Sequence, residues 1–275
     1  MNEKITFVVF TKNEEHRIEN VILNFKNYGK ILLADGGSTD RTYDIAKKYG
    51  CDIYVREKEI LFAENSYILD RISNLVTTPW MYWAYADEHL EKKSLDKISE
   101  IVEDDKYDLI SINRKNYFYG AFCDNVHDSR VTRLFKKGSL DFTNNKIHSF
   151  GKPTVSKNRI YFLQNDMFIY HMISNNLETT ISAFLYYSDV EKIQGIKSKV
   201  SFWHFIRLFM FTILKYYFKE GGWKLSREVD IFIQAMFIYP LLSNIKTYEY
   251  ENNVTLQSIA QKNKKIVENI LSDFQ

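Results

Sequence analysis

The stretch that decides the fold of this 275-residue chain is Ile31-Leu32-Leu33-Ala34-Asp35-Gly36-Gly37-Ser38-Thr39-Asp40. Its apolar half predicts a buried strand, its two glycines predict a tight turn, and Ser38 or Thr39 can cap the helix that follows. That helix is predicted to end at Gly50. A strand, a turn and a helix at such short spacing indicate an α/β fold.

The same alternation continues on both sides of this stretch. Residues 5–10 form a second apolar run that predicts a strand, and Ile18–Phe25 shows the i, i+3, i+4, i+7 spacing of a helix. Residues 51–55 predict a third short strand. This order implies parallel strands with right-handed crossovers and helices on both faces of the sheet. Ligands lie beyond the carboxyl ends of such strands, so we expect a nucleotide beside residues 11–14 and 35–40.

Further elements are predicted along the rest of the chain. The predicted strands cover residues 80–86, 109–113, 131–135 and 160–170, and the predicted helices cover about 63–75 and 95–102. The strand over 80–86 carries Asp87 and Glu88 to the same edge of the sheet. From Leu177 onward the pattern is mainly helical. We therefore predict an α/β domain over residues 1–175 and a helical extension over residues 176–275.

The composition is that of an ordinary folded protein. It is 45% hydrophobic and 26% charged, which excludes wholesale disorder. Cys51 and Cys123 are too few for a disulfide framework or a zinc site, in keeping with a reducing compartment. The apolar run over residues 5–10 is too short for a secretory signal. We expect a cytoplasmic location and no nucleic-acid partner.

Two acidic clusters at predicted strand ends suggest chemistry. The glycines after Asp35 let backbone amides approach a ligand, and Asp35 can accept hydrogen bonds from a base or a ribose. A plain strand-to-helix turn capped by Asp35 is an equal alternative. Asp87 and Glu88 offer carboxylates that suit a hard divalent cation bound to a diphosphate. The alternative for that pair is a solvated acidic turn.

Seven short stretches follow one another in a characteristic order. They are residues 10–15 (FTKNEE), 34–42 (ADGGSTDRT), 85–88 (YADE), 113–120 (NRKNYFYG), 133–138 (RLFKKG), 147–148 (IH) and 170–171 (YH). Together they resemble family 2 glycosyltransferases of the GT-A fold, in the branch that includes lipopolysaccharide core β-1,4-glucosyltransferases and related surface-polysaccharide enzymes. The resemblance spans roughly residues 4–190 and implies a Rossmann-like domain that binds a nucleotide-diphosphate sugar.

The resemblance also implies roles for individual residues. The donor nucleotide, a uridine nucleotide, would be bound at the carboxyl edge of the sheet by Thr11, Asn13, Glu14, Asp35, Gly37, Ser38 and Ala86. Asp87 would be the metal-binding aspartate of the D-x-D motif, with Mn²⁺ or Mg²⁺ as the cation. His148 would reach the metal or the diphosphate. The alternative for His148, and for His171, is a hydrogen-bonded structural histidine.

The chain departs from the family pattern at Tyr85, which replaces the first aspartate of the D-x-D motif. A hydroxyl can replace one hydrogen bond of that carboxylate but not its charge, so we expect weaker metal binding. An inverting transfer also needs a general base on the acceptor side. We predict Asp128 for this role, with Asp124 as the alternative, although both can be solvated loop acids. Arg130 or Arg133 is a candidate for the diphosphate, or else a structural ion-pair partner.

The last third of the chain is aromatic and locally basic. Residues 192–227 contain eight lysines and arginines against one acid, Glu220, so the remainder of the chain is net acidic. Residues 202–218 are strongly apolar, but three basic or titratable side chains interrupt them, which argues against a spanning helix. This pattern predicts a peripheral anchor on the inner face of the cytoplasmic membrane, near a lipid-linked acceptor. The alternative is a core helix packed against residues 229–242, or a homodimer contact.

Taken together, these features predict an enzyme. The expected reaction is the inverting transfer of a hexose, most simply glucose, from a UDP-sugar to a hydroxyl of a lipopolysaccharide or other surface-glycan acceptor. The alternative is a non-catalytic glycan- or lipid-binding protein on a degenerate transferase scaffold, for which Tyr85 is the main argument. A nucleotidyltransferase is disfavoured because residues 11–14 lack a glycine-rich loop with a basic phosphate ligand.

Overall fold

A computed structural model describes residues 3–57, 62–126, 129–173 and 176–272. The chain divides into two compact units. One unit comprises Met1–Ser174 and Glu220–Val229, and the other comprises Asn175–Lys219 and Asp230–Gln275. The assignment of residues 1–175 and 176–275 to domains with separate roles remains a prediction.

The first unit is built on one large sheet. The strands of the described residues are β1 (Ile5–Thr11), β2 (Lys30–Asp35), β3 (Asp52–Val55), β4 (Trp80–Tyr85), β5 (Glu88–Leu90), β6 (Leu109–Phe118), β7 (Ala121–Phe122), β8 (Ser129–Lys136), β9 (Leu140–Asp141), β10 (Lys152–Pro153), β11 (Ile160–Phe162) and β12 (Phe168–Ile173). The sheet runs in the order β3-β2-β1-β4-β8-β6-β12-β5. The first four strands of that order are parallel, and β8 joins β4 antiparallel.

The described residues also contain eight α-helices. They are α1 (Ile18–Phe25), α2 (Thr42–Lys48), α3 (Ser66–Leu75), α4 (Lys92–Asp104), α5 (Leu177–Ile193), α6 (Phe202–Thr212), α7 (Arg227–Glu251) and α8 (Leu256–Ser272). A π-helix over Ile213–Lys219 continues α6, and 3-10 turns cover Lys157–Arg159 and Gly222–Lys224. The strand–helix alternation predicted for the first ninety residues is confirmed.

The core lies on both faces of the parallel strands. Every residue of β1 is buried, with Phe7 stacked on Phe25 of α1 at a ring-centroid distance of 4.4 Å. On the opposite face Phe10 packs against Trp83 at 4.5 Å. Because both faces are covered, these strands are continuously apolar rather than alternating, which is why the sequence signals them so clearly.

The strand predicted over residues 160–170 is wrong as a single element. The structure has two strands there, β11 and β12, and both pair with β6 in parallel. Between them the chain turns at Gln164-Asn165-Asp166, where the amide of Met167 donates to the carbonyl of Gln164 at 3.0 Å. Three consecutive polar residues cannot be buried in a central strand without partners, so the chain leaves the sheet and re-enters it.

The second unit is helical, as predicted. In it, Tyr239 of α7 packs on Phe184 of α5 with ring centroids 5.0 Å apart. The Tyr239 hydroxyl donates to the Glu191 carboxylate at 2.7 Å, and Ser243 donates to the same group. This buried polar contact fixes the register of the two helices.

Candidate active site

Three parallel strands end side by side at one edge of the sheet. Thr11 at the end of β1 lies opposite Asp35 at the end of β2, and Phe10 lies opposite Tyr85 at the end of β4. Asp87 follows Tyr85 by two residues. The two acidic clusters predicted from sequence therefore lie at the carboxyl edge, where open α/β sheets bind their ligands.

Asp35 organises the turn after β2. Its carboxylate is 2% exposed and accepts hydrogen bonds from the Thr11 hydroxyl at 3.1 Å and the Ser38 hydroxyl at 2.5 Å. The amides of Gly37 and Ser38 also donate to it, at 2.9 and 2.8 Å. Four donors occupy the acceptor capacity of one carboxylate. The structure thus shows Asp35 holding the turn, and its contact with a donor nucleotide remains a prediction.

Both glycines of this turn are required, for different reasons. Gly37 has a φ of +82°, which side chains other than glycine rarely adopt, although a Cβ there would meet no atom within 4 Å. A Cβ on Gly36 would lie 2.7 Å from Nη2 of Arg56. The Arg56 guanidinium donates to the carbonyls of Ala34 and Thr11, so it holds the ends of β2 and β1 together.

Asn13 and Glu14 lie on the same edge but are engaged with the protein. Oδ1 of Asn13 accepts from the amide of Thr39 at 2.8 Å. Glu14 forms a bidentate ion pair with Arg17, with N–O distances of 2.6 and 2.7 Å. Burial raises the pKa of Glu14, and the Arg17 guanidinium offsets only part of that rise.

Asp87 contacts a histidine that is distant from it in the sequence, His171 of β12. Nε2 of His171 lies 3.3 Å from Oδ2 of Asp87, and Nδ1 of the same ring lies 2.8 Å from Oδ1 of Asn116. Burial raises the pKa of Asp87, but the hydrogen bond and charge of His171, with the charge of Arg17, outweigh it and hold the pKa below its usual value. Asp87 is thus kept as a carboxylate at the sheet edge.

Glu88 points the other way, into the protein. It is 1% exposed and accepts from Nη2 of Arg133 at 2.6 Å, with Nη1 of Arg114 at 3.7 Å. Arg133 is therefore a structural ion-pair partner, the second of the two predicted readings. Arg130 donates to the carbonyls of Ser111 and Leu163, which places it in the framework as well.

Tyr85, the departure from the D-x-D pattern, is tied to another loop. Its hydroxyl donates to Oε1 of Glu64, and its ring lies 4.7 Å from the guanidinium carbon of Arg133. Ala86, predicted to contact the donor, is 3% exposed, and its contact with the donor remains a prediction.

The predicted general bases fall in the loop after β7. Asp128 lies outside the described residues. Asp124 is exposed, with a φ of +47°, and sits in a turn closed by the Val126 amide on the Cys123 carbonyl at 2.8 Å. The Cys123 amide donates to the Asn116 carbonyl at 2.9 Å. The loop is therefore anchored to Asn116, whose side chain contacts His171.

His148 lies in a loop held against the sheet. Nδ2 of Asn145 donates to the carbonyls of Glu64 and Ser149, and Phe150 packs on Phe142 at 5.4 Å. His148 itself is exposed, with a φ of +68°. Within the described ranges, no three histidine, cysteine, aspartate or glutamate side chains converge as metal ligands. Asp87 therefore offers one carboxylate, which suits Mg²⁺ or Mn²⁺ when diphosphate oxygens and water supply the other ligands.

Sequence reasoning overlooked several contacts at this edge. Tyr170-His171 is one of the stretches that carry the family resemblance, and this is the only feature of the sequence that draws attention to His171. The pairs Arg17–Glu14 and Glu64–Tyr85 were not anticipated. Arg17–Glu14 has the i, i+3 spacing of a helix-start ion pair, whereas nothing in the local sequence marks Glu64.

Comparisons with known proteins identify the family of the chain. The family model described as Glycosyl transferase family 2 matches residues 6–175. The chain is 26% identical over 212 residues to an uncharacterized glycosyltransferase of Rickettsia bellii (strain RML369-C), covering 72% of this chain and 69% of the relative. It is 24% identical over 250 residues to the lipopolysaccharide core biosynthesis glycosyltransferase LpsC of Rhizobium meliloti (strain 1021), covering 86% and 89%.

A solved structure gives a more distant likeness. S. aureus TarS 1-349 in complex with UDP-GlcNAc is 14% identical, with a TM-score of 0.43, and the match covers 91% of this chain and 92% of that one. The family model, in contrast, spans well over half of the 275 residues. This chain therefore belongs to glycosyl transferase family 2, and it is a glycosyltransferase of the GT-A fold, as the sequence predicted.

Proposed function

We propose that the enzyme transfers a hexose, most simply glucose, from a UDP-sugar to a hydroxyl of a lipopolysaccharide or related surface-glycan acceptor, with inversion. The observation that carries the proposal is the meeting of Thr11, Asp35 and Asp87 at one carboxyl edge of parallel strands. A nucleotide bound at that edge would direct its diphosphate toward Asp87. The lipopolysaccharide core role named for LpsC supports the choice of acceptor class.

The donor contacts proposed are those predicted from sequence, in a site that is formed before the donor arrives. The Asp35 carboxylate fixes the turn carrying Gly37 and Ser38, and Asn13 fixes Thr39 from the neighbouring strand end. A turn ordered in this way loses little further entropy on binding, so more of the contact energy appears as affinity.

Asp87 would hold Mn²⁺ or Mg²⁺ together with the donor diphosphate. The cation supplies charge neutralisation for the departing UDP when it is bound. His171 acts on Asp87 as a positioning residue, because its ring is held between that carboxylate and Asn116. Arg17 adds positive charge nearby, and the lowered pKa keeps Asp87 ionised well below neutral pH.

The base that deprotonates the acceptor hydroxyl is assigned to Asp128, with Asp124 as the second candidate. In an inverting reaction this carboxylate must face the side of the sugar opposite the leaving UDP. The tie between the Cys123 amide and the Asn116 carbonyl supports an acceptor-side position for this loop.

Calorimetric titration of UDP, with and without Mn²⁺, tests the donor site first. We expect binding that tightens when Mn²⁺ is present, and no binding in either condition would contradict the proposal. Release of UDP from a panel of UDP-sugars then identifies the hexose. Asp87→Ala should lower turnover at least about a hundredfold while the thermal unfolding profile is retained. Unchanged turnover would remove the metal assignment.

We also propose that the helical unit binds an anionic membrane surface, where a lipid-linked acceptor would be found. No helix of the described residues is both long and apolar enough to cross a bilayer. Phe205 and Phe209 of α6 pack against Phe237 of α7, and each remains 43% exposed. Five further large apolar side chains of α6 and of the π-helix that continues it are 45–77% exposed: Trp203, Met210, Phe211, Leu214 and Phe218.

The charge around this apolar face favours lipid over another protein core. Residues 192–219 contain six lysines and arginines and no aspartate or glutamate. Each such charge adds about 1 kcal/mol of attraction to anionic lipid.

Vesicle co-sedimentation tests this surface. The wild type should bind vesicles that contain phosphatidylglycerol better than pure phosphatidylcholine, and added salt should weaken the binding. Phe211→Ser should reduce binding by at least about tenfold, because inserting one phenylalanine contributes about 1.5–3 kcal/mol. Phe162→Ser is the matched control, since Phe162 is also 59% exposed but lies in the first unit. Loss of a dimer in Phe211→Ser with unchanged vesicle binding would favour a homodimer contact instead.

A further inference from the structure

A carboxylate reaches the D-x-D position from another part of the chain. Position 85 carries tyrosine, but its hydroxyl donates to Oε1 of Glu64, which lies in the segment just before α3. The negative charge missing from position 85 in the sequence is therefore present beside it in the structure.

The surroundings of Glu64 make its charged form depend on hydrogen-bond donors and nearby cations. Burial raises the pKa of Glu64 above its usual value, and the guanidinium groups of Arg133 and Arg56 counter part of that rise. A carboxylate with little access to water gains more from each hydrogen-bond donor than an exposed one does. Glu64 is half-buried, so part of the residue is exposed to solvent.

Two contacts fix the main chain at Glu64 and the residue that follows it. Its carbonyl accepts from Nδ2 of Asn145 at 2.8 Å. The next residue, Asn65, caps α3 by accepting from the Ile68 amide at 2.9 Å. A side chain on such a fixed backbone, with its oxygen held by Tyr85, loses little freedom when a ligand binds.

The position of this carboxylate along the edge identifies what it would meet. Tyr85 lies opposite Phe10, one residue before the Thr11–Asp35 pair and two residues before Asp87. Glu64 contacts Tyr85, the last residue of β4, and so lies beside the strand end that separates the Thr11–Asp35 pair from Asp87. In a nucleoside diphosphate, the group between base and diphosphate is the ribose, which presents two hydroxyl donors.

We propose that Glu64, oriented by Tyr85, accepts a hydrogen bond from a ribose hydroxyl of the nucleotide donor. The assignment rests on the proposed function, because it requires a nucleotide at this edge. Tyr85 and Glu64 together then supply the hydroxyl recognition that an aspartate at position 85 would give, and Tyr85 is a positioning residue rather than a sign of lost function.

Calorimetry with UDP, 2′-deoxy-UDP and 3′-deoxy-UDP in the presence of Mn²⁺ tests the assignment. The wild type should bind UDP about tenfold or more tightly than at least one deoxy analogue, as expected for a hydrogen bond to a charged group. Glu64→Gln should reduce that preference to about threefold or less. Glu19→Gln is the control, since Glu19 accepts from the Tyr49 hydroxyl at 2.6 Å on the outer helices, and it should keep the wild-type preference.

A second variant separates ligand recognition from support of the fold. Adding Tyr85→Asp to Glu64→Gln returns a carboxylate to position 85, and we expect the preference for UDP to return with it. Glu64→Gln that keeps the full preference, or a double variant that fails to recover it, overturns the assignment while leaving UDP binding intact. Absence of UDP binding in the wild type would instead overturn the proposed function.

Discussion

Arg133→Met removes the cation from a buried ion pair next to the active-site edge. Arg133 is 5% exposed and its partner Glu88 is 1% exposed, with 2.6 Å between Nη2 and Oε1. Glu88 directly follows Asp87 and is the first residue of β5. The Arg133–Glu88 ion pair therefore holds the chain in place next to Asp87. Methionine is apolar and unbranched, so it fills much of the space without replacing the charge.

The expected loss of folding stability depends on the charges that remain around Glu88 after the substitution. Removing one partner of a buried ion pair costs about 3–5 kcal/mol, because the other charge stays desolvated. Nη1 of Arg114 remains 3.7 Å from the carboxylate, so we expect Arg133→Met to lie near 3 kcal/mol. Glu88→Met leaves two guanidinium groups with only the charges of Glu64 and Asp87 to offset them, and we expect a loss near 5 kcal/mol.

Urea denaturation followed by tryptophan fluorescence measures these losses. Trp80 and Trp83 are buried in β4, so their emission reports unfolding of the sheet that contains the pair. The double variant Glu88→Met/Arg133→Met should be more stable than either single variant, because it leaves no buried charge of the pair unpaired. Arg133→Met within about 0.5 kcal/mol of the wild type, or a double variant with additive losses, would refute the reasoning.

Two further predictions concern the framework of the sheet. The hydrogen bond from Arg159 lowers the pKa of Asp108, so its stabilising contribution is present above the ordinary aspartate pKa of about 4 and is lost as the pH falls through the lower folded value. Thermal unfolding temperatures of the wild type and Asp108→Asn should therefore differ at pH 6 and converge as the pH falls below about 4; a constant difference would contradict this. Gly37→Ala should cost about 1–2 kcal/mol through its φ of +82°, measured by urea denaturation, and a neutral result would show that the turn relaxes.

Much of the fold could be predicted because the decisive strands are buried on both faces. β1, β2 and β4 are continuous apolar runs, and each ends in polar residues at the same edge. The two-residue strands β7, β9 and β10 carry no such signal, since so short a segment has no measurable period. The segment over 160–170 was predicted as one strand because its apolar residues outweighed the polar turn inside it.

Some residues of the candidate site could likewise be named from the sequence, and others could not. Asp35 and Asp87 could be named from sequence, because each directly follows a strong strand and the parallel order of those strands fixes their shared edge. Their partners could not all be named. The His171 ring that contacts Asp87 arrives on β12, and its distance from Asp87 along the chain carries no periodic signal.

The sequence by itself determined the α/β order, the carboxyl edge and the acids that end the strands, because these follow from local burial and turn chemistry. Tertiary structure alone decided which charges face one another. It turned Glu88 inward to Arg133, set His171 against Asp87, and brought Glu64 to the hydroxyl of Tyr85. Such pairings depend on where separate loops converge in space, and the strength of an ion pair or hydrogen bond depends on that distance and on local burial rather than on spacing along the chain.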